Sequence, residues 1–343
     1  PSEWPGRALA VALAAAAVAA TVAVRRRTRE RTPGMPVLFE PPDHIIPVLG
    51  VRVVDEDDSD ADLQATLFDL AARGVVQISR DDDRSWTVSR VGDPDPQSTH
   101  PADTEVLQAL FLDRAGDVFT VSNSKLAGER ITAARKALRR AIDAESATYL
   151  TPSGAGAAAR VLGWGATIAV VAQVGIYHFG GQAWSNLPLL VGTTVLSVGL
   201  LGIALDPRTR TVHTDAGREL WSRAGGFARF LSTESSETRF DAAAHRDWFQ
   251  RYLPWAVALG VGSEWARRYA AQGVELGSDA VPWLYWYGGP ARWSDTSMTD
   301  SFNAAISTAS ATYAASQVSA AGSAFSGGFS GGSGLGGGGG GSW

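Results

Sequence analysis

Four aspartates, Asp58, Asp60, Asp62 and Asp69, stand at positions 1, 3, 5 and 12 of the spacing that calcium loops use for their oxygen ligands. The match fails at position 6, where a sharp turn needs glycine. Leu63 stands there instead and opens an apolar stripe with Leu67 and Leu70 at helical spacing. The run is therefore the acidic start of a helix, with Asp60 or Asp62 as its cap, and no metal site is assigned. Gly328, Ser330 and Gly332 satisfy G-x-S-x-G, but a nucleophile elbow needs a strand before it and a helix after it. A Gly/Ser tract supplies neither, and its likeness to Gly-rich nucleotide loops is compositional. The histidines His44, His100, His178, His213 and His245 show no i,i+4 pair and no His-Glu motif. Arg135, Lys136, Arg139 and Arg140 share the polar side of one helix, as a major-groove helix would present them. The turn at Asp81, Asp82 and Asp83, in the place of a wing tip, would repel phosphate. With no cysteine, disulfides, thiolate metal sites and cysteine nucleophiles are excluded together. The sequence thus assigns no catalytic, cofactor-binding or metal residue, no cofactor and no nucleic-acid partner; the formal charge of −5 exerts no global pull on nucleic acid.

The elements that carry these residues fall into soluble and apolar stretches. After a basic, Pro-rich tether (residues 25–47), residues 48–152 are expected to form a small α+β domain resembling a winged helix. Its first helix carries Leu63, Leu67 and Leu70 and stops at Gly74. A hairpin follows, with Val75, Val76 and Ile78 on one strand and Trp86 and Val88 on the other. A second helix runs from about Thr104 to Leu112, and a third starts at Ser124 with the stripe Ile131, Leu138, Ile142. Residues 206–290 form a mainly helical, aromatic-rich segment. Thr214 can cap one helix, and Pro254 fits the first turn of another that bears Trp255, Trp265 and Tyr269 on one face. With Trp283, Tyr285 and Trp286, these aromatics make either a small core or a partner- or membrane-facing surface. This segment is too small for comfortable independent stability and is expected to dock on the first domain or the membrane. Residues 291–343 are a low-complexity Gly/Ser tail without the apolar content to bury a core.

Three uncharged apolar stretches, Ala8 to Val24, Val161 to Gly180 and Leu187 to Leu205, have the length of membrane spans. The first is followed by Arg25, Arg26, Arg27, Arg29 and Arg31. Arg160 precedes the second, and Arg208 and Arg210 follow the third. By the positive-inside rule these flanks are cytoplasmic, so residues 1–7 and the turn between the second and third spans face outward and the C-terminus lies inside. Besides anchoring topology, arginines near an anionic leaflet each add on the order of 1 kcal/mol of attraction. The expected fold class is a multi-pass α-helical protein of the plasma membrane: three transmembrane helices, a cytoplasmic α+β domain, a second helical cytoplasmic segment and a disordered tail.

The stretches "ATLFDLAARGVVQIS" (Ala65 to Ser79), "TEVLQALF" (Thr104 to Phe111), "GGFARFLSTES" (Gly225 to Ser235) and "RYLPWAVALGVGSEWARRY" (Arg251 to Tyr269) carry a family resemblance. Together with their order around a paired hydrophobic hairpin and the Gly-rich end at Trp343, they resemble the YciQ-like bacterial predicted membrane proteins, called domain of unknown function 2207. The resemblance implies that an extracytoplasmic β-rich domain precedes the first span, which would fit a chain that begins at Pro1 and enters an apolar stretch at once. It implies no activity and no catalytic residues. The expected function is a non-enzymatic scaffold or sensor coupling an outer domain to a cytoplasmic interaction module. Its partners would be the lipid bilayer and another membrane or cytoplasmic protein. The alternative is a membrane enzyme, or an accessory subunit of an enzyme or transporter complex.

Overall fold

The computed structural model describes residues 4–28, 30–80, 86–92, 99–111, 117–180, 187–206, 209–232, 246–265, 284–286 and 297–326. Three long helices pack together: α1 (Trp4–Thr28), α6 (Gly154–Gly180) and α7 (Leu187–Leu205). Small residues let them approach. A Cβ added at Gly192 or Gly199 of α7 would lie 2.8 Å from Leu13 Cβ or 2.4 Å from Thr21 Oγ1 of α1. Gly163 of α6 meets the α7 backbone at Leu200. Hydroxyls tie α6 to α7: Thr167 Oγ1 lies 3.0 Å from Ser197 Oγ, and Thr193 Oγ1 donates to Gln173 Oε1 at 2.9 Å. Interfaces of small and hydroxylic residues are those that hold helices together where lipid removes any hydrophobic gain from association.

The outward faces are apolar. Val161, Trp164, Ile168 and Val171 fall at helical spacing on α6 and are all more than half exposed. By length and composition, one helix among the described residues can cross a membrane: Gly154–Gly175, 22 residues, or about 33 Å of helix against roughly 30 Å of hydrocarbon. In α7 the apolar stretch is the shorter Val191–Ile203.

The remaining elements build one core from stretches on both sides of this bundle. Before it come α2 (Pro47–Asp55), α3 (Asp62–Ala72), β1 (Val76–Arg80), β2 (Trp86–Arg90), α4 (Pro101–Leu110), β3 (Val118–Val121), α5 (Lys125–Ser146) and β4 (Leu150–Pro152). After it come β5 (Thr211–His213), α8 (Asp215–Ser232), α9 (Arg246–Ala258), β6 (Leu284–Trp286) and α10 (Ser297–Ser326). A four-stranded sheet runs β3-β2-β1-β6. Its first three strands are antiparallel, and β6 lies parallel to β1 with Ile78 opposite Leu284. α9 packs on α3 and α2, α8 on α2, and α10 on α5. Apolar residues of α2, α3, β1, β2, α4, β3, α5, α8, α9 and α10 form a continuous buried cluster. The described elements before and after the α6–α7 hairpin are thus two parts of one packed unit.

Local chemistry sets the boundaries. Ser124 accepts from the Ala127 amide and starts α5, and Thr214 accepts from the Gly217 amide and starts α8. Gly74 takes a positive φ (75°) just after α3. α4 starts at Pro101, earlier than Thr104, because His100 and Asp103 form a capping box. α3 is not capped by Asp60 or Asp62: its N-cap is Ala61, and Asp62 Oδ2 accepts instead from the Ser59 amide.

Three sequence expectations need correction. The pattern helix, hairpin, helix, helix lacked α2 and β3. Pro254 lies inside α9, which begins at Arg246 and ends at Ala258 before Gly260 at positive φ. The low-complexity tail does not start at 291: α10 occupies Ser297–Ser326, and Phe302, Ile306 and Ala309 bury one face of it. The disordered tail expected beyond lies, from residue 327, outside the described residues. The tether, in addition, is seated on the domain. Residues 30–46 run along α8, where Gly225 and Gly226 admit Met35 and the Pro36 carbonyl, and the Leu38 amide donates to Gly226 O at 3.3 Å. Phe39 meets Phe230 edge-on, and Arg229 donates to Met35 O.

Candidate functional site: the junction of the helix bundle and the domain

The chain passes between bundle and domain in three places, and all three converge. β4, leading into α6, pairs antiparallel with β5, which follows α7. Leu150 faces His213, and the Ser153 amide donates to Arg210 O. The close approach holds because Gly156, on the first turn of α6, leaves room for the Thr209 carbonyl. Residue 30, just past α1, is drawn to the same place. Glu30 Oε2 accepts from the His213 amide at 2.9 Å and lies 3.0 Å from His213 Nδ1, and Glu30 Oε1 accepts from Arg218 Nε at 2.8 Å. His213 Nε2 lies 2.7 Å from the Val53 carbonyl on α2. The imidazole is fully buried and stacked on Trp221 of α8, centroids 4.1 Å apart and planes 10° from parallel. Thr211 donates to Glu56, the left-handed residue that ends α2. One histidine thus touches the exit of α1, the base of the hairpin, α2 and α8. Burial alone would push the Glu30 carboxyl up, but the hydrogen bonds from His213 and Arg218 outweigh it and hold the group below its ordinary value.

Two further charged clusters stiffen the domain. The acidic run before α3 faces the basic face of α5. Asp58 pairs with Arg52 (2.7 Å) and Arg139 (2.9 Å), and Asp60 with Arg135 (3.5 Å), while Arg52 also holds Asp143 (2.7 Å). They line a cleft of about 190 Å³ that also takes in Asp62 and Leu63. Burial raises the Asp62 carboxyl to about 6, with Asp58 adding to the rise. Asp58 and Asp60 of the calcium spacing and Arg135 and Arg139 of the basic helix thus meet in one network. Deeper, Arg73 bridges Asp69 and Asp103, each at 2.8 Å. Burial pushes Asp69 up; burial opposes the charge of Arg73 too, but the two carboxylates raise it. His100, whose ring pairs with Glu145, caps α4 beside them.

The aromatics proposed from sequence as an interaction surface divide. Trp255 and Trp265 are buried, which removes them from any surface. Trp255 fills the space over Gly50 of α2, and Trp265 meets Phe230 and Tyr252. Trp255 also meets Phe227 of α8 edge-on, so both rings belong to the aromatic cluster that α8 and α9 share. Of Tyr285 and Trp286 only the strand backbone is described, and Tyr269 and Trp283 lie outside the described residues, as does the turn at Asp81 to Asp83. Arg25 and Arg26 end α1 with exposed side chains, and Arg31 is exposed beyond it. The Arg27 side chain and Arg29 lie outside the described residues. Among the described residues no group of three or more His, Asp or Glu side chains is placed to hold a metal ion. Sequence reasoning missed His213, because Glu30 and Val53 lie 183 and 160 positions away from it.

No curated protein and no solved structure was found to match the chain. Its residues 36–269 match the C-terminal domain of a predicted membrane protein family, DUF2207. This range starts at the strap along α8, includes the hairpin and its clasped base, and ends just past Trp265. The chain belongs to the DUF2207 family of predicted membrane proteins, and the match covers the hairpin base with His213 and most of the domain, while Glu30 and α1 lie before it.

Proposed function

We propose that this membrane-associated protein is a non-enzymatic scaffold or sensor that couples the outer side of the plasma membrane to a cytoplasmic interaction module. The observation that carries the reading is the junction. A passive anchor needs only a linker between membrane and domain, whereas here α1, α6 and α7 are all tied to one buried histidine and its partners. A rotation or slide of any one helix must then be felt by α2 and α8, and through them by the shared core. In this reading α1, α6 and α7 are three transmembrane helices, the exposed apolar faces meet lipid, and Arg25, Arg26, Arg31, Arg160 and Arg210 mark the cytoplasmic end. The α+β unit, with a helix packed beside a three-stranded antiparallel sheet, serves as a winged-helix-like interaction module. Two of the arginines of α5, Arg135 and Arg139, are paired with aspartates, which favours a protein partner over nucleic acid.

The chain lacks cysteine, so single introduced cysteines report topology without background. In intact cells Ser185→Cys should react with an impermeant maleimide, and Arg31→Cys and Lys125→Cys should react only after lysis; labelling of Lys125→Cys from outside would refute the orientation. Coupling is tested by photo-crosslinking from the exposed face of α5 in native membranes. A discrete protein partner, lost when Glu30→Ala frees the junction, is the expected result. Unchanged crosslinking in that variant would refute the coupling.

A further inference from the structure

We infer that α10 is an exchangeable strap: the groove it fills on its own domain also accepts the α10 of a second copy, so that neighbouring chains link by swapping this helix. The groove makes a narrow demand. Phe302 enters flat against Phe68 of α3 and edge-on to Trp86 of β2. Ile306 and Ala309 continue the buried line where α10 packs on α5. At Gly128 of α5 a Cβ would stand 2.1 Å from the Ala309 carbonyl and 2.7 Å from Tyr313 Cβ, so the two helices touch there with no room for a side chain between them. Beyond this crossing Thr312 donates to Asn123, just ahead of α5. An occupant must therefore bring a ring, a branched aliphatic side chain four positions on, a small residue seven on and a hydroxyl ten on. α10 supplies all four, and every copy of the chain carries it.

What holds α10 is separable from what holds the rest of the domain. Asp300 is the single charged residue among its 30, so apolar contact rather than charge keeps it in place. Past Ala309 none of its described side chains is fully buried, although the helix runs on to Ser326. The strap also lies outside the matched family range, 36–269, whereas Phe68, Trp86 and Gly128 of the groove lie inside it. When α10 leaves, Phe68 and Trp86 lose a ring partner, and a helix of the same pattern restores it. A swapped α10 makes the same contacts as the chain's own, which is why exchange of an identical element is a low-cost route to association. The ten residues 287–296 between β6 and α10 reach at most roughly 33–36 Å when extended, about the diameter of a small domain. Copies crowded into one bilayer come within that range, and effective concentration then decides between the chain's own strap and its neighbour's.

The exchange stands apart from the coupling proposed for the junction, and it is tested without touching Glu30 or His213. Full chains are used, which have no cysteine of their own. One population carries Asn123→Cys and another, differently tagged, carries Thr312→Cys. They are reconstituted together in liposomes at rising protein-to-lipid ratios and mildly oxidised. A disulfide between the two populations is expected, with a yield that grows with the ratio. Phe302→Ala in the Thr312→Cys chains should lower that yield by about tenfold or more, because a strap without its ring loses its main anchor. An excess of a peptide of residues 297–317 should suppress it as well. A yield indifferent to either change marks collision between exposed sites and overturns the inference. Absence of the disulfide at every ratio overturns it too. If a single chain with both cysteines then closes its own disulfide, α10 never leaves its groove; if it does not, α10 is not seated there.

Discussion

Replacing Phe302 by alanine should release α10 while leaving the rest of the domain folded. Phe302 is fully buried, stacked on Phe68 (5.7 Å between centroids, 13° between planes) and edge-on to Trp86 (5.0 Å, 64°). Phe→Ala changes in cores cost about 3–5 kcal/mol, and two ring contacts place this site in the upper half of that range. The other buried apolar anchors described on α10 are Ile306 and Ala309, and the helix is otherwise rich in Ser, Ala and Thr with little hold of its own. A loss of about 4 kcal/mol raises the opening constant for undocking by roughly 10³-fold. Hydrogen exchange read peptide by peptide is the assay. Residues 297–317 should approach unprotected rates in Phe302→Ala while α3 and α5 keep most of their protection, and Thr308→Ala, at an exposed position, should change nothing. If α10 stays protected, or if every helix loses protection in step, the view of α10 as a separately docked strap is wrong.

Other perturbations separate the remaining layers of the argument. A Cβ at Gly128 would stand 2.1 Å from the Ala309 carbonyl, so Gly128→Ala should also undock α10, from the opposite side of the contact and with the same exchange signature. Because the folded state raises the Asp62 carboxyl from 3.8 to about 6, the folded protein binds more protons than the unfolded chain between these values. Stability should therefore fall as pH rises through that window and level off above it; Asp62→Asn should flatten the profile and gain about 1–3 kcal/mol at neutral pH in denaturant titrations. Arg73→Met leaves Asp69 and Asp103 buried without their cation and should cost about 3–5 kcal/mol by the same titration. Gly199→Val should push α1 from α7 at Thr21 and lower the thermal midpoint in detergent, whereas Gly165→Val, where nothing lies within 4 Å of the added Cβ, should be tolerated.

Local signals were legible where one residue performs a local task. Ser124, Thr214 and Gly74 mark helix ends through bonds or backbone angles that reach no further than a few positions, and the stripe Ile131, Leu138, Ile142 faces the core. α2 was hidden because nine residues between a Pro-rich stretch and an acidic run carry too short a pattern to show a period. α10 was hidden by composition. Its docking residues follow a helical i, i+4, i+7 spacing, but Phe302, Ile306 and Ala309 stand in a stretch rich in Ser, Ala and Thr that blurs the contrast between its faces. Pro254 misled because proline favours a first helical turn, and tertiary packing of Leu253, Trp255 and Ala256 overrides that preference here. The junction itself had no linear signal at all. A histidine is recognised in sequence by the spacing of its neighbours, and His213 draws its partners from four elements separated by most of the chain.

The pairing of β6 with β1 and the seating of α9 on α3 have a consequence for synthesis. The faces of α2, α3 and β1 that will be covered leave the ribosome early, but the residues that cover them follow the whole hairpin. At ~5–20 residues per second, the roughly 190 residues from Ala72 to Trp265 take about 10–40 s to be made. During that interval the faces of α2 and α3 that α9 will cover stay open, while the apolar hairpin of α6 and α7 is still being made. The nascent chain must hold an unfinished half-domain with its apolar faces open until the second half arrives. Deleting the hairpin with a short linker in its place should shorten that exposure, and faster maturation of the α+β unit in a coupled translation system would reveal it.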